Sequence, residues 1–254
     1  MNDPSERLRA MTTARVALGR MGAGLPTAPL LAFQRDHALA RDAVHFPFDP
    51  SGIAGALAPR PVITVASQAG DRAAYLRRPD DGRALAAESA ERLPRGDWDL
   101  SIVIADGLSA PAVDVHAAAV ALRLIERLPD WRLAPIVIAS LARVALGDAI
   151  GERLGARMVV VLIGERPGLS AADSLGAYLT WAPAVGRRDS ERNCVSNIRP
   201  PHGLGYDAAA DTLAWLIRAG GRLQLTGVAL KDESADQALP SHHPPPISAA
   251  ERGS

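Results

Sequence analysis

Four short runs of apolar, largely β-branched residues lie in the middle of the chain, separated by stretches with helical periodicity. The runs cover residues 62–65, 100–105, 136–139 and 158–163, and the helical stretches cover roughly residues 110–128, 143–154 and 207–219. The runs are apolar at consecutive positions, which is typical of parallel strands buried on both faces. Strands that alternate with helices predict an α/β fold with a doubly wound, mostly parallel sheet flanked by helices.

The first 45 residues have a different pattern, because their apolar residues recur at helical spacing in two pieces. The first piece covers residues 8–18 and is interrupted by the Gly-rich segment 22–26. The second begins near Thr27, which we expect to cap the helix before Pro29.

These patterns divide the chain into three parts. We expect an N-terminal helical segment at residues 1–58, an α/β domain of Rossmann type at residues 59–233 and a tail at residues 234–254. The tail has no periodic apolar residues and contains three consecutive prolines, so we expect it to be disordered. Its removal should leave folding nearly unchanged.

Composition excludes several classes of function. The chain of 254 residues has 28 Lys plus Arg and 28 Asp plus Glu, so its balanced charge gives no reason to expect binding to nucleic acid or to a membrane surface. It has no long uncharged stretch and no apolar leader at its start. The single cysteine, Cys194, cannot form an internal disulfide. We therefore expect a cytoplasmic protein.

The loops that follow the predicted strands are the natural place to look for a ligand site, since open parallel sheets bind ligands beyond the carboxyl ends of their strands. Asp106 follows one strand, Arg143 and Val144 follow the next, and Gly164-Glu165-Arg166 follows the most apolar strand. Glycine-containing loops are also required simply for tight turns. Glu165 either meets a ligand or anchors the turn through an internal ion pair, and both interpretations predict that it is hydrogen-bonded.

Several motifs of self-contained enzymes are absent from the sequence. There is no P-loop, no GxGxxG after a strand and no Gly-x-Ser-x-Gly elbow, and the histidines show no metal-ligand spacing. A lone cysteine such as Cys194 is more often a small buried hydrophobe than a nucleophile. We therefore assign no catalytic residue and no metal ligand.

A set of short segments, taken in order, resembles one known family. The segments are ARVALGRMGAGLP (14–26), FQRDHA (33–38), RDAVH (41–45), ADGLSA (105–110), RVALGD (143–148), GERPGL (164–169), DSLG (173–176), RNCVSNI (192–198) and GVALK (227–231). Together they resemble the small subunit of ethanolamine ammonia-lyase over about residues 12–232. Each segment is modest alone, but their order and spacing are specific.

The resemblance implies an adenosylcobalamin-dependent lyase that converts ethanolamine to acetaldehyde and ammonia by radical chemistry. It implies a hetero-oligomer in which a large, catalytic subunit carries the substrate pocket and the small, non-catalytic subunit packs over the cobalamin at their interface. The family's cofactor contacts from the small subunit fall on Val144, Glu165 and Cys194 of this sequence. The resemblance is also compatible with a place inside a bacterial microcompartment.

Two other hypotheses stay open at this point. One is a structural or adaptor protein of a metabolic compartment without any cofactor contact. The other is a stand-alone α/β enzyme acting on a small phosphorylated or nucleotide ligand, which the missing phosphate loop disfavours. Asp114-Val-His116 is similar to the Asp-x-His-x-x-Gly motif that supplies the lower cobalt ligand in other B12 enzymes. The final glycine is missing and the segment has a helical pattern, so a packed helix-face histidine is the better interpretation.

Overall fold

The computed structural model describes residues 4–12 and 14–232. The eight helices of this part are α1 (Pro4–Met11), α2 (Thr27–His45), α3 (Pro50–Leu57), α4 (Arg72–Arg77), α5 (Ala87–Glu91), α6 (Ala110–Glu126), α7 (Leu146–Leu154) and α8 (Tyr206–Leu223). The strands are β1 (Val62–Ala66), β2 (Trp98–Ala105), β3 (Ile136–Ser140), β4 (Ala156–Gly164), β5 (Leu175–Trp181) and β6 (Arg192–Ile198). Short 3-10 turns cover Asp81–Arg83, Asp189–Glu191 and Gly227–Ala229. The tail predicted at residues 234–254 lies outside the described residues.

The six strands form one mixed sheet in the order β1-β3-β2-β4-β5-β6. The three pairings among β1, β3, β2 and β4 are parallel, as the apolar runs predicted. The pairings of β5 with β4 and with β6 are antiparallel, so the expectation of a mostly parallel sheet holds only for the first four strands. The connection from β4 to β5 is a short loop, too short for the helical crossover that a parallel pair needs.

Helices cover both faces of the sheet, which confirms the α/β fold. Alternate residues of β4 contribute to two separate cores: Met158, Val160 and Leu162 pack with α3, α6 and α8, while Val159, Val161 and Ile163 pack with α7. This alternation is the two-residue period of a strand, applied to a sheet that is apolar on both faces. Among the helices of the described residues, none is long and apolar enough to cross a membrane.

The strands β5 and β6 were not predicted from the sequence. Their residues read LGAYLTW and RNCVSNI, and polar residues interrupt the apolar pattern in both. Strand β6 lies at the edge of the sheet, where exposed side chains such as Cys194 and Ser196 face away from the core. A half-exposed antiparallel strand carries a weaker apolar signal than a buried parallel strand.

The N-terminal region is only partly as predicted. Helix α1 ends at Met11, so the predicted continuation to residue 18 is wrong, whereas α2 begins at Thr27 as expected. Thr27 does not cap the helix, because Pro26 occupies the N-cap position and no side chain accepts a hydrogen bond there. Only Ala43 of α2 is buried, so most of this long helix lies on the surface.

Candidate functional site

A cleft of about 390 Å³ opens at the carboxyl ends of β2 and β4, on the face of the sheet that α7 covers only in part. It is lined by Tyr75, Gly107, Leu108, Arg143, Val144, Ile163, Gly164, Glu165, Arg166 and Tyr178. The cleft therefore lies where open parallel sheets bind ligands. Two glycines allow the strand ends to approach closely: a Cβ on Gly107 would lie 2.2 Å from the Gly164 carbonyl oxygen, and Gly107 has a positive φ of 55°.

Glu165 is half-buried at the end of β4, and one of its two carboxylate oxygens is already bonded within the chain. Its Oε2 accepts hydrogen bonds from the Ser174 hydroxyl at 2.5 Å and from the Asn197 backbone N–H at 3.3 Å. Its Oε1 lies beside Gly176, which has no side chain to cover it, and receives no hydrogen bond from the described residues. Glu165 is thus hydrogen-bonded, as both interpretations predicted, but its partners are a hydroxyl and a backbone N–H, and it forms no ion pair with a described residue. One acceptor oxygen stays free.

Cys194 lies on β6 directly opposite Tyr178 of β5 in the register of the two strands. The residue is exposed, contrary to the expectation of a buried hydrophobe. Desolvation of its thiol nevertheless raises the pKa of Cys194, and the nearby Glu165 carboxylate raises that pKa further. A thiol with a raised pKa is protonated at neutral pH, which is the wrong state for a nucleophile.

Val144 is half-buried beside the α7-side core, and the loop that carries it is held by four polar contacts. The Asp106 carboxylate accepts from the Ala142 backbone N–H at 2.8 Å, and the Tyr75 hydroxyl donates to the Ala142 carbonyl at 3.1 Å. The remaining two are made by the Ser67 hydroxyl, which donates to the Leu141 carbonyl at 2.6 Å, and by the Arg143 backbone N–H, which donates to the Gly82 carbonyl at 2.8 Å.

Leu141 adopts a positive φ of 53°, which is costly for a residue with a side chain. The contacts around Ala142 and Leu141 compensate for this conformation and make the loop before Val144 rigid. A rigid loop presents its side chains to a ligand in one arrangement.

Tyr75 lies beneath the cleft, fully buried between two guanidinium groups. The Arg72 group lies 4.8 Å from the centre of the Tyr75 ring and the Arg143 group lies 4.3 Å from it. Burial raises the pKa of Tyr75, so its hydroxyl stays protonated and remains a donor to Ala142. Arg72 also donates to the carbonyl oxygens of Val44 and Gly107, which links the end of α2 to the rim of the cleft.

Asp106 joins this network from the end of β2 and is only 2% exposed. It accepts from Arg72 at 3.1 Å in addition to the Ala142 N–H. Burial raises the pKa of Asp106 to about 6, against the lowering effects of its hydrogen bonds and of Arg72. In the sequence, Asp106 stands out only as a residue after a strand, and no local pattern marks Tyr75 or Tyr178.

A buried ion pair fixes β6 to α7, away from the cleft rim. Arg192 and Asp148 are 2% and 1% exposed, and both terminal nitrogens of Arg192 donate to the carboxylate at 2.7 Å. Arg192 also donates to Thr180 on β5, so its charge is fully hydrogen-bonded. Since Arg192 begins the strand that carries Cys194, this pair sets the position of Cys194 relative to the cleft.

A family model described as ethanolamine ammonia-lyase light chain matches residues 2–231. The ethanolamine ammonia-lyase small subunit of Bradyrhizobium diazoefficiens is 58% identical over 243 residues, which cover 92% of this chain and 93% of the relative. The small subunit of Azotobacter vinelandii is 54% identical, covering 91% of this chain and 89% of the relative. That of Pseudomonas aeruginosa is 51% identical, covering 93% and 90%.

The chain belongs to the ethanolamine ammonia-lyase light-chain family. This finding confirms the resemblance drawn from the sequence segments and makes the chain a subunit in a lyase family. It favours the lyase-subunit hypothesis over the adaptor hypothesis and over the stand-alone enzyme hypothesis.

The three positions that the ethanolamine ammonia-lyase resemblance assigned to cofactor contact lie near one another. Val144, Glu165 and Tyr178 line the cleft, and Cys194 lies opposite Tyr178 on the next strand, close enough to Glu165 for that carboxylate to raise the pKa of its thiol. The structure thus brings residues 50 positions apart in sequence to one surface.

His116 lies away from this cleft in the light-chain fold. It is buried on α6, and its Nδ1 is 2.8 Å from the Tyr206 hydroxyl of α8, so it is the packed helix-face histidine that the sequence favoured. Desolvation lowers the pKa of His116, so its imidazole is neutral at pH 7. Within residues 4–12 and 14–232, no group of three or more His, Cys, Asp or Glu side chains is placed to hold a metal ion.

Proposed function

We propose that this chain is the non-catalytic small subunit of an adenosylcobalamin-dependent ethanolamine ammonia-lyase and holds the cofactor against a large catalytic subunit. The observation that carries the proposal is the meeting of Val144, Glu165 and Cys194 around Tyr178, at the carboxyl ends of the parallel strands. Membership in the light-chain family supports the same assignment.

The residues of the cleft suit the chemistry of cobalamin, which combines an apolar macrocycle with a rim of amides. Val144 and the Tyr178 ring offer apolar surface, and the free Oε1 of Glu165 can accept a hydrogen bond from an amide N–H.

Adenosylcobalamin, when bound, supplies an adenosyl radical by homolysis of its cobalt–carbon bond. The role of this chain is to position the cofactor. Its rigid loop at residues 141–144 and the anchored Glu165 hold one side of the cofactor in a fixed place. The cleft is open to solvent and much smaller than cobalamin. A second subunit must therefore close the site and exclude water from a radical reaction.

Helix α2 supports the presence of a large partner subunit. Leu31 and Leu39 are 58% and 55% exposed, and Phe33 and Phe46 are also exposed, although all four are large and apolar. Several exposed large apolar side chains on α2 and directly after it favour a protein–protein interface here. The Arg72 contacts to Val44 and Gly107 make this helix continuous with the rim of the cleft. We propose that the large subunit covers both.

The test is reconstitution with the large subunit. Ammonia release from ethanolamine with added adenosylcobalamin is measured for this chain alone, for the large subunit alone and for the two together. We expect activity only from the pair, and we expect cobalamin to remain with the pair during gel filtration. Activity of the isolated chain would contradict the non-catalytic role, and a pair that is active but no better at retaining cobalamin than the large subunit alone would contradict the cofactor-holding role.

A further inference from the structure

A second cleft of about 520 Å³ lies next to the candidate site and shares Arg143 and Val144 with it. It is lined by Pro79, Arg83, Arg143, Val144, Ala145, Val185, Gly186, Arg187, Arg188 and Asp189. Four of these residues are arginines and one is an acid, in a chain with zero formal net charge. A concave surface lined mainly by arginines favours an anionic ligand.

The arginines of this cleft differ in how far acidic neighbours neutralise them. Arg83 pairs with Asp80 at 3.2 Å, and Arg187 pairs with Glu191 at 2.5 Å. The charges of Arg83 and Arg187 are therefore largely compensated by these carboxylates, and neither is the main donor to a bound anion.

Arg143 and Arg188 form no ion pair with any described residue. Arg143 stacks on Tyr75 and its Nη2 donates to the Tyr75 carbonyl oxygen at 3.4 Å, so its guanidinium is held in place, while its Nη1 has no partner among the described residues. Arg166, on the rim of the first cleft, also has no ion pair among the described residues. Asp189 is the opposing charge, and it is 95% exposed and directed to Arg192 at 3.4 Å.

These observations combine into one arrangement. Unpaired guanidinium groups flank Val144, and Val144 also lines the cleft proposed to hold the macrocycle. A ligand that covers Val144 and carries a phosphodiester on a flexible arm can place that anion in the second cleft. Cobalamin has such an arm, because its nucleotide tail is joined to the macrocycle through a phosphodiester.

We propose that the cleft around Arg143 and Arg188 binds the phosphodiester of the cofactor's nucleotide tail. This inference rests on the proposed function of the chain as a cobalamin-holding subunit. Arg188 is exposed, and its side chain moves to the phosphodiester when the ligand binds. Arg143 is already held in position by its stack on Tyr75. Guanidinium groups bind phosphate oxygens through charge-assisted and often bidentate hydrogen bonds.

The experiment uses the assembled complex with the large subunit and two probes. Hydroxocobalamin carries the nucleotide tail, and cobinamide has the same macrocycle but lacks the nucleotide and its phosphodiester. Each probe is titrated by its visible absorption into the wild-type complex and into complexes with Arg188→Gln or Glu165→Gln. Arg222→Gln is the matched control, since it removes the same charge from an exposed arginine at the opposite end of the sheet.

We expect Arg188→Gln to weaken hydroxocobalamin binding roughly tenfold and to leave cobinamide binding unchanged. Inorganic phosphate added as a competitor should weaken hydroxocobalamin binding and spare cobinamide. Arg222→Gln should affect neither probe. Melting curves of each complex verify that Arg188→Gln, an exposed position, is folded.

Two patterns overturn the inference, and they distinguish its own failure from failure of the proposed function. If Arg188→Gln weakens both probes equally, or neither, while Glu165→Gln still weakens both, the phosphodiester assignment is wrong and the cofactor site stands. If the wild-type complex binds neither probe more tightly than the large subunit alone, the proposed function fails and this inference fails with it.

Discussion

The Asp106 carboxylate accepts a hydrogen bond of 2.8 Å from the backbone N–H of Ala142, and this bond ties the loop after β2 to the loop after β3. Both loops end at the candidate cleft. Ala142 stands two residues before Val144 and directly after Leu141, whose positive φ needs support. Asp106 is therefore a positioning residue for Val144, although it lies beneath the cleft surface.

Replacing Asp106 with alanine should loosen this loop. The change leaves the Ala142 N–H and part of the Arg72 guanidinium without a partner, at a cost to the free energy of unfolding of about 2 kcal/mol. It should also raise the apparent Kd of the complex for cobalamin. Asp106→Asn is the matched control, because its side-chain oxygen can still accept from Ala142. If Asn and Ala weaken cobalamin binding equally, the hydrogen bond to Ala142 is not what positions the loop.

Asp106 also predicts a pH dependence of stability. The folded chain raises the pKa of Asp106 from 3.8 to about 6, mainly by burial, so the folded state holds this proton more tightly than the unfolded state. Its contribution to the free energy of unfolding should therefore decrease as pH rises from about 4 to about 6, by about 3 kcal/mol in total.

The free energy of unfolding in urea is measured for the wild-type chain and for Asp106→Asn between about pH 4 and pH 7. The difference between the two isolates the contribution of Asp106 ionisation to stability. The stability of the wild type relative to the variant should decrease with rising pH and become constant above about pH 7. A difference that increases with pH would show that Asp106 is ionised more readily in the folded chain than in the unfolded chain.

The buried pair of Arg192 and Asp148 should be sensitive to the loss of either partner. Asp148→Ala leaves the Arg192 charge buried without its bidentate acceptor, and we expect a loss of about 3–5 kcal/mol in the free energy of unfolding. The double variant Asp148→Leu with Arg192→Met removes both charges and should recover much of that loss. If the loss in the double variant, measured by chemical denaturation, equals the sum of the losses in Asp148→Leu alone and Arg192→Met alone, the two charges are not energetically coupled.

Glu165→Gln tests the free carboxylate oxygen at the cleft. The substitution keeps an acceptor for Ser174 but weakens the acceptor offered to a cofactor amide, so we expect cobalamin affinity of the complex to fall roughly tenfold to hundredfold. The substrate rearrangement itself should change little, because we place it in the other subunit. Ser174→Ala removes one of the two internal hydrogen bonds of the carboxylate and leaves the free oxygen in place. If it lowers affinity as much as Glu165→Gln does, without lowering the melting temperature, then loop anchoring and not ligand contact explains the effect.

The exposed apolar surface of α2 can be tested by adding a charge to it. Leu39→Glu should leave the melting temperature of the isolated chain nearly unchanged, because Leu39 is more than half exposed, and should weaken association with the large subunit. Val228→Glu is the control, since Val228 is also apolar and exposed but lies outside α2, next to Gly227, which donates to Asn193 near the start of β6. Gel filtration of mixed subunits measures both. Normal assembly with Leu39→Glu would exclude this part of α2 from the interface.

Several features of this protein follow from its sequence alone. The buried strands β1 to β4 are apolar at nearly every position, and their local pattern specifies them wherever they lie in the fold. The helices α6, α7 and α8 carry an equally clear period, and the ordered set of short segments identifies the family. Glu165 stood out because it follows the most apolar strand.

Tertiary structure decided the rest. The antiparallel strands β5 and β6 are stabilised by pairing with β4 and with each other, and their own mixed pattern of polar and apolar residues does not specify a strand. Tyr75 and Tyr178 line the cleft and Asp106 lies beneath it; the three come from separate elements, and only the packed chain places them together. Their contacts depend on the register of the sheet and on the approach of distant loops, which no local periodicity encodes.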